Sequence, residues 1–261
     1  MLKKRVIAVI IIRGTGVVQS VRFQHTNVIH YDAYHAVETF NRWAVDEIIL
    51  LNVSRSQDSQ KTFLEILTHV SSTCFVPLAA GGWITSEDYG AALIKNGADK
   101  LVLNTAFHKN PDLVKRLVKR FGVQCIVGSM DVKRPQDDQI GIAIDRGQHF
   151  LPIPPEKWAV QMTDLGAGEI FFNSIEHDGN RKGYDLENLK KVCNTVNVPV
   201  IAFGGVFLWK HMAQGLDAGA DAVAAANIFH YKELATKKAK RFLADKGYAI
   251  RNQGQVSYEV L

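Results

Sequence analysis

Hydrophobic positions along the chain fall into short apolar runs, each followed by a longer segment in which apolar residues recur every three to four positions. The runs are continuous instead of alternating, which indicates strands buried on both faces of a parallel sheet. The longer segments have the periodicity of amphipathic helices that pack on such a sheet. The predicted strands cover residues 5–12, 47–53, 76–80, 100–103, 125–130, 170–173, 200–203 and 222–225. The predicted helices cover residues 32–43, 61–71, 87–96, 111–121, 156–165, 186–194, 208–218 and 231–246.

Eight strand–helix units in 261 residues predict a closed (β/α)8 barrel, the TIM barrel, as a single domain over residues 1–261. This fold takes about 250 residues and surrounds eight parallel strands with a ring of helices. A doubly wound open sheet is the structural alternative. It is disfavoured because no Gly-x-Gly-x-x-Gly motif follows the first predicted strand.

The chain also repeats itself at about half its length. Val76-Pro77 and Val198-Pro199 lie 122 positions apart, as do Gly97-Ala98-Asp99 and Gly219-Ala220-Asp221, and the first and fifth strands align at an offset of 120. This period is too long for a solenoid repeat. It predicts two homologous half-barrels, roughly 1–122 and 123–250, with 251–261 as a C-terminal tail.

Composition and charge exclude several classes of protein. Hydrophobic residues make up 47% of the chain and charged residues 22%, with a net charge of +5, which is typical of a soluble globular protein and predicts a cytoplasmic location. No apolar run approaches the roughly 20 residues of a membrane span, and the basic stretch 237–241 has no aromatic pattern typical of nucleic-acid binding. Three cysteines without a ligand set at metal spacing predict no disulfide framework, no metal and no cofactor.

Candidate chemistry lies after the predicted strands, because the active sites of such barrels form where strands end and the following loops begin. Gly81-Gly82 follows the third strand and Gly204-Gly205 the seventh, so each pair can present backbone N–H groups to an anion. Asn104, Thr105 and Asn227 add side-chain donors nearby. Equivalent loops in the two halves predict two anion sites that face each other across the barrel mouth.

Seven long segments carry a family resemblance: Arg5-Val6-Ile7-Ala8, Gly97-Ala98-Asp99-Lys100, Gln124-Cys125-Ile126-Val127, Asp131-Val132-Lys133-Arg134, Leu165-Gly166-Ala167-Gly168-Glu169-Ile170, Asp178-Gly179 with Gly183-Tyr184-Asp185, and Ile228-Phe229-His230. On them the chain resembles the HisF family, the cyclase subunit of imidazole glycerol phosphate synthase, over essentially its whole length. The resemblance implies a barrel that docks a glutaminase on its N-terminal face. It also implies that ammonia passes through the core to a substrate with two phosphates at the C-terminal face.

The resemblance further implies two aspartates, at the ends of strands one and five, that act as general base and general acid. Asp131 is the fifth-strand residue, but the first-strand position is Ile11, whose hydrocarbon side chain cannot move a proton. General acid–base assistance typically contributes about 10²–10⁴-fold to a rate. Four more rim positions depart from the family pattern: Gln19, Asn52, Trp83 and Phe203.

The opposite, N-terminal end keeps the family pattern. The resemblance implies an ammonia gate made of a charged ring, and its four members are Arg5, Glu47, Lys100 and Glu169. Asp99, which the resemblance implies faces the glutaminase, is also present. Two acids and two bases at strand starts can neutralise one another and still part for a small neutral molecule.

An intact entrance and an altered mouth resemble the divergent HisF-like branch that accompanies a HisH-like glutaminase and an N-acetyl-sugar amidotransferase in surface-polysaccharide pathways. We therefore interpret the chain as a subunit that docks a HisH-like glutaminase and conducts ammonia to an acceptor for sugar amidination, with cyclase activity lost or reduced. Two alternatives stay open. One is a working imidazole glycerol phosphate synthase cyclase in histidine biosynthesis, and the other is a non-catalytic scaffold that activates a glutaminase.

Overall fold

A computed structural model describes residues 3–22, 25–135 and 139–251, so most of the predicted tail lies outside the described residues. Eight parallel strands close into a barrel, each paired with the next and the last paired with the first, which confirms the predicted (β/α)8 fold. In chain order these strands are β1 (Arg5–Arg13), β4 (Glu47–Asn52), β5 (Leu78–Gly81), β6 (Lys100–Leu103), β7 (Ile126–Lys133), β10 (Glu169–Ser174), β11 (Val200–Phe203) and β12 (Ala222–Ala225).

Helices surround the barrel at the predicted places: α1 (Ala33–Arg42), α2 (Ser59–Ser71), α3 (Glu87–Lys95), α4 (Ala106–Lys109), α5 (Pro111–Phe121), α6 (Pro155–Asp164), α7 (Leu186–Cys193), α8 (Trp209–Asp217), α9 (Asn227–Tyr231) and α10 (Ala235–Asp245). The prediction of one last helix over 231–246 was wrong. Leu234 has a φ of +52°, a left-handed conformation that a continuous helix excludes, so α9 ends before it and α10 begins after it. No helix in the described ranges is long and apolar enough to cross a membrane.

Two antiparallel hairpins extend the barrel at its C-terminal mouth, and the sequence pattern did not predict them. The first consists of β2 (Gly16–Val21) and β3 (His25–His30), and the second of β8 (Gly141–Ile144) and β9 (His149–Leu151). β2 pairs with β1, and β8 pairs with β7, so each hairpin continues a barrel strand beyond the sheet. Both hairpins bring side chains over the mouth.

The barrel interior is packed with apolar side chains between the two ends of the strands. The side chains form one cluster of buried residues that includes Ile7, Val9, Ile49, Val127 and Ile201. These residues fill an apolar core, which is typical of such barrels. A separate, larger cluster fills the space between the strands and the surrounding helices.

At the N-terminal face, aspartates that directly precede barrel strands accept hydrogen bonds from the backbone of neighbouring strands. Asp46 accepts a hydrogen bond from the backbone N–H of Val6, at 2.8 Å. Asp99 accepts one from Leu78 in the same way, also at 2.8 Å. Each carboxylate satisfies a backbone donor at the start of a neighbouring strand, which orders this end of the barrel.

Candidate active site and barrel entrance

Four charged side chains form a closed ring at the N-terminal entrance of the barrel. Arg5 donates from Nη1 to Glu47 Oε2 at 2.7 Å and from Nη2 to Glu169 Oε1. Lys100 Nζ lies 2.9 Å from Glu47 Oε1 and 2.9 Å from Glu169 Oε2. Each base thus binds both acids, and each acid binds both bases. The structure brings together all four residues that the sequence predicted for this ring.

The ring is electrically balanced and largely withdrawn from water. The exposed fraction is 3% for the Glu47 side chain and 20% for that of Lys100. Burial by itself lowers the pKa of Lys100, but the attraction and hydrogen bonds of Glu47 and Glu169 outweigh it and hold the pKa above its usual value. The same opposing causes raise the pKa of Arg5. Both bases therefore stay charged at neutral pH, and the entrance is closed by ion pairs that carry no net charge.

Asp99 lies on the same face, and it differs from its repeat partner Asp221 in one respect. The Asp221 carboxylate binds Lys4 Nζ at 3.0 Å, so its charge is neutralised. The position equivalent to Lys4 is Gln124, whose amide donates to the Phe121 carbonyl oxygen at 3.2 Å instead. Asp99 is exposed and has no cation within ion-pair distance in the described part of the chain. It is therefore a carboxylate available to a partner on this face.

A cavity of about 590 Å³ opens at the C-terminal mouth, and Asp131 lies in its wall. Its carboxylate accepts hydrogen bonds from Asn173 Nδ2, at 2.9 Å, and from Asn104 Nδ2, at 3.1 Å. The cavity has the size of ordinary small-molecule sites, about 300–1,000 Å³. Asp131 is thus placed and oriented to exchange a proton with a ligand in the cavity.

The surroundings of Asp131 favour its protonated form. Loss of hydration raises its pKa from 3.8 to about 7, the Asn173 hydrogen bond lowers it, and the charge of Asp178 raises it again. A carboxyl group with a pKa near 7 is half protonated at neutral pH, which suits a general acid or base. The Oδ1 atom of Asn173 is buried without a hydrogen-bond partner, so the amide can turn to accept a hydrogen bond from the O–H group of protonated Asp131.

The side chain at the equivalent place on β1 is apolar. Ile11 is 3% exposed, lines the same cavity and packs in the apolar cluster of the barrel interior. Phe171 and Phe203 also line the cavity and stack on each other, with ring centroids 5.0 Å apart and an angle of 27° between the rings. The floor of the cavity is therefore apolar around Asp131, and the other charged side chains that line the cavity belong to its rim: Arg13, Arg55, Lys109, Asp145 and Arg146.

At the first predicted anion site, the polar side chains make hydrogen bonds to other groups of the protein. Gly81 is buried within β5, whereas Gly82, Asn104 and Thr105 reach the cavity. The Asn104 amide donates to Asp131, and the Thr105 hydroxyl donates to Asn104 Oδ1 at 3.3 Å while it accepts the backbone N–H of Asp145 at 2.9 Å. These donors are therefore already satisfied by the protein itself.

Trp83 follows Gly82 directly at this first site. It places an indole ring where its repeat partner, Gly205, has only a hydrogen. Asn52, another residue that departs from the family pattern, is buried, donates to the Ser59 hydroxyl at the start of α2 and accepts the backbone N–H of Ser54, both at 3.0 Å. A phosphate must come close to the backbone N–H groups of this loop to bind them. On this side of the mouth, the bulky Trp83 side chain narrows the space for it.

The second predicted anion site is a separate small cavity of about 80 Å³. All five second-half residues that the sequence predicted for ligand binding line it: Asp178, Gly179, Gly204, Gly205 and Asn227. Both Gly204 and Gly205 have positive φ, at +98° and +88°. A β-carbon on Gly205 would lie 2.4 Å from the Gly183 carbonyl oxygen, so this loop requires glycine. This half keeps an open pocket with glycine backbone in its wall.

Several residues of the two cavities were not predicted from the sequence. Asn173 has a weak signal, because it is a polar residue in an otherwise apolar strand. Arg181 and Lys232 line the small cavity and lie over Phe207 and Trp209, at 4.7 and 5.1 Å respectively. Arg146 reaches the large cavity from a hairpin that the pattern did not show. Among the described residues, no group of three or more His, Cys, Asp or Glu side chains is placed to hold a metal ion.

The fold and the two cavities define a (β/α)8-barrel protein with two cavities at the C-terminal mouth and a closed ion-pair ring at the entrance. The family model described as "Histidine biosynthesis protein" matches residues 5–235. The chain is 37% identical over 255 residues to the imidazole glycerol phosphate synthase subunit HisF of Chlorobium limicola, with 96% of this chain and 100% of the relative covered. It is 36% identical over 251 residues to the HisF subunit of Dictyoglomus thermophilum, with 96% and 99% covered. The chain belongs to the HisF family.

Proposed function

We propose that the chain is the synthase subunit of a glutamine amidotransferase complex, which receives ammonia from a HisH-like glutaminase and delivers it to the barrel mouth. The observation that carries the proposal is the contrast between the two ends of the barrel. The entrance ring of Arg5, Glu47, Lys100 and Glu169 is complete, whereas Ile11 takes the place of one of the two carboxylates at the mouth.

The entrance supports the docking part of the proposal. Asp99 is an exposed carboxylate without a cation partner among the described residues, on the same face as the ring. An unpaired surface charge next to a balanced, buried ring is suited to orient a partner protein over the entrance. Neutral ammonia crosses an apolar barrel core at lower cost than ammonium, because the interior excludes unpaired charges.

The mouth supports an acceptor other than the family's bisphosphate substrate. The cavity floor around Asp131 is made of apolar side chains that include Ile11, Trp83 narrows the first anion site, and Phe203 adds a second aromatic ring. Cyclase chemistry, which the family performs with two aspartates, is therefore lost or reduced in this proposal. The resemblance to the divergent branch supports an N-acetyl-sugar amidotransferase as the protein that supplies the acceptor.

A second candidate function is the cyclase of imidazole glycerol phosphate synthase itself. Two observations favour it: the relatives at 36–37% identity carry that name over nearly the full chain, and the pKa of Asp131, about 7, suits acid–base catalysis. In this case Asp131 alone exchanges both protons, with solvent in place of the missing base. A scaffold that only activates its glutaminase is the third candidate, and an apolar floor under the cavity is compatible with it.

The docking proposal is tested by pairing Asp99→Asn with Asp221→Asn, which removes the same charge at the repeat-related position. A HisH-like glutaminase is titrated with each variant, and glutamate formation from glutamine is followed. We expect Asp99→Asn to weaken stimulation of the glutaminase by about tenfold or more, the value of one charge-assisted hydrogen bond. Asp221→Asn should keep normal stimulation because Lys4 already neutralises that carboxylate. Equal stimulation by both variants would contradict docking through Asp99.

A further inference from the structure

The tip of the β8–β9 hairpin reaches across the mouth and is fastened to loops of the other half of the barrel. The Asp145 carboxylate binds Lys109 Nζ at 2.9 Å, and its backbone N–H donates to the Thr105 hydroxyl at 2.9 Å. Arg146, at the same tip, donates from Nη1 to the carbonyl oxygen of Arg55 at 2.9 Å. Two separate segments therefore hold the tip, residues 105–109 at α4 and the loop that contains Arg55, and the position of Arg146 is fixed on the rim of the large cavity.

Arg146 lies flat against the indole of Trp83, with its Cζ atom 4.8 Å from the ring centroid. The indole is itself held, because Nε1 donates to the Ser54 carbonyl oxygen at 2.8 Å. A guanidinium has five N–H donors. The described protein contacts use one on Arg55 and one on Asp145, at 3.3 Å, so further donors remain at the guanidinium edge.

Both residues have backbone conformations that side chains usually avoid. The φ of Trp83 is +58° and that of Arg146 is +61°, in the left-handed region that costs a residue with a β-carbon roughly 1–2 kcal/mol. Gly205, the repeat partner of Trp83, has a φ of +88°, so glycine would relieve the strain. Strain of this kind persists where the surroundings enforce it and is concentrated at ligand sites.

The rim around this pair has an excess of positive charge. Four bases line the cavity, Arg13, Arg55, Lys109 and Arg146, against the two carboxyl groups of Asp131 and Asp145. Lys109 and Arg146 share the Asp145 carboxylate. Neither Arg13 nor Arg55 has a carboxylate within ion-pair distance in the ranges that the structure describes. Cations that line a cavity without counterions provide a field that attracts an anion.

We propose that Arg146, held on the indole of Trp83, forms a binding subsite for an oxyanion of the ligand at the mouth, a phosphate or a carboxylate. Arginine binds such groups through two parallel N–H···O bonds, and an aromatic ring under the guanidinium keeps it in place. In this proposal, side chains of the rim bind the oxyanion on this side of the mouth, whereas backbone N–H groups of glycines bind it in the opposite half. Trp83 therefore determines specificity, because it both narrows the backbone site and supports the arginine. The inference rests on the proposed function, which places the acceptor in this cavity.

Binding is measured on the full chain alone, by titrating inorganic phosphate and, separately, malonate at low ionic strength while tryptophan fluorescence is recorded. Asn tolerates the left-handed conformation better than most residues, so Arg146→Asn removes the guanidinium without refolding the hairpin tip. Arg120→Asn is the matched control, because the Arg120 guanidinium also lies over an aromatic ring, that of Phe121 at 5.3 Å, away from the cavity.

We expect one of the two anions to change the fluorescence, and we expect Arg146→Asn to weaken that response by about tenfold or more while Arg120→Asn leaves it unchanged. Trp83→Phe should remove the signal itself. A response to phosphate identifies a phosphate ligand, and a response to malonate a carboxylate ligand. An unchanged response in Arg146→Asn, or no response to either anion, would overturn the subsite. The assay contains no glutaminase and no ammonia, so its failure is distinguishable from failure of the proposed function.

Discussion

Asp131→Asn should make the protein more stable above pH 7. The folded protein holds the pKa of Asp131 at about 7, against 3.8 for an ordinary aspartate, because the carboxylate loses hydration at the cavity wall. A raised pKa in the folded state means that stability is lost as the pH rises from about 4 through 7, since the folded protein must release a proton that it binds more tightly than the unfolded chain. Asparagine is neutral at every pH and avoids this loss.

The magnitude follows from the pKa and the hydrogen bonds. A rise from 3.8 to about 7 corresponds to at most about 4 kcal/mol above pH 7. The substitution also replaces an oxygen that accepts from Asn104 or Asn173 by an NH2 group, which costs about 1 kcal/mol if nothing adjusts. The Asn173 amide can turn and offer its unpartnered Oδ1 to that NH2 group. We therefore expect a net gain of about 2–3 kcal/mol at pH 8 and little gain at pH 4.

Urea unfolding of the wild type and Asp131→Asn at pH 4, 6 and 8 measures this difference in the free energy of unfolding. Asp145→Asn is the control, and its expected change in the free energy of unfolding at pH 8 has the opposite sign. The hydrogen bond and charge of Lys109 lower the pKa of Asp145, so its ionised form stabilises the fold above about pH 4 and the variant should be less stable at pH 8. A destabilised Asp131→Asn at pH 8, or a gain that does not depend on pH, would refute the reasoning.

The remaining predictions concern the entrance, the packing and the mouth. Lys100→Met should lower the free energy of unfolding, measured in urea, by about 2–4 kcal/mol, because it leaves one carboxylate charge of the ring uncompensated at a place where the Lys100 side chain is only 20% exposed. Lys191→Met, which breaks an exposed ion pair, is the control and should change the free energy of unfolding little. Gly168→Ala should lower the melting temperature and cost about 1–3 kcal/mol, because the new β-carbon would lie 2.2 Å from the Val123 carbonyl oxygen; an unchanged melting temperature would contradict this. Ile11→Asp alone should not restore cyclase turnover with ammonium salt, and full recovery would show that Trp83 and the other rim changes are tolerated.

The sequence predicted the barrel well because strand and helix patterns have different periods and recur eight times. It missed both hairpins; for the second, β8 and β9 are only four and three residues long, and their turn carries the tip residues Asp145 and Arg146 in left-handed conformations. It also missed the break at Leu234, where the apolar pattern continues through residues 232–234 but the left-handed backbone of Leu234 separates α9 from α10.

The candidate site was predicted in part. The ring at the entrance could be located because the resemblance to the HisF family implies its four members, which lie at the start of a predicted strand or directly before one. Asp131 was located in the same way at the other end. The sequence did not reveal that Asn104 and Asn173 hold Asp131, nor that Arg146 lies on Trp83, because these contacts join residues that are 27–63 positions apart and depend on side-chain geometry.

The central claim is that the entrance works as in the family while the mouth no longer performs the family reaction. Its most direct test supplies ammonium salt and the bisphosphate precursor of imidazole glycerol phosphate synthase to the purified chain, with the Chlorobium limicola HisF subunit as the reference. We predict that this chain consumes the precursor at least about a hundredfold more slowly than the reference subunit, because that is the loss of rate expected for a missing acid–base partner. Turnover within about tenfold of the reference would contradict it, and would make the chain a cyclase that Asp131 alone sustains.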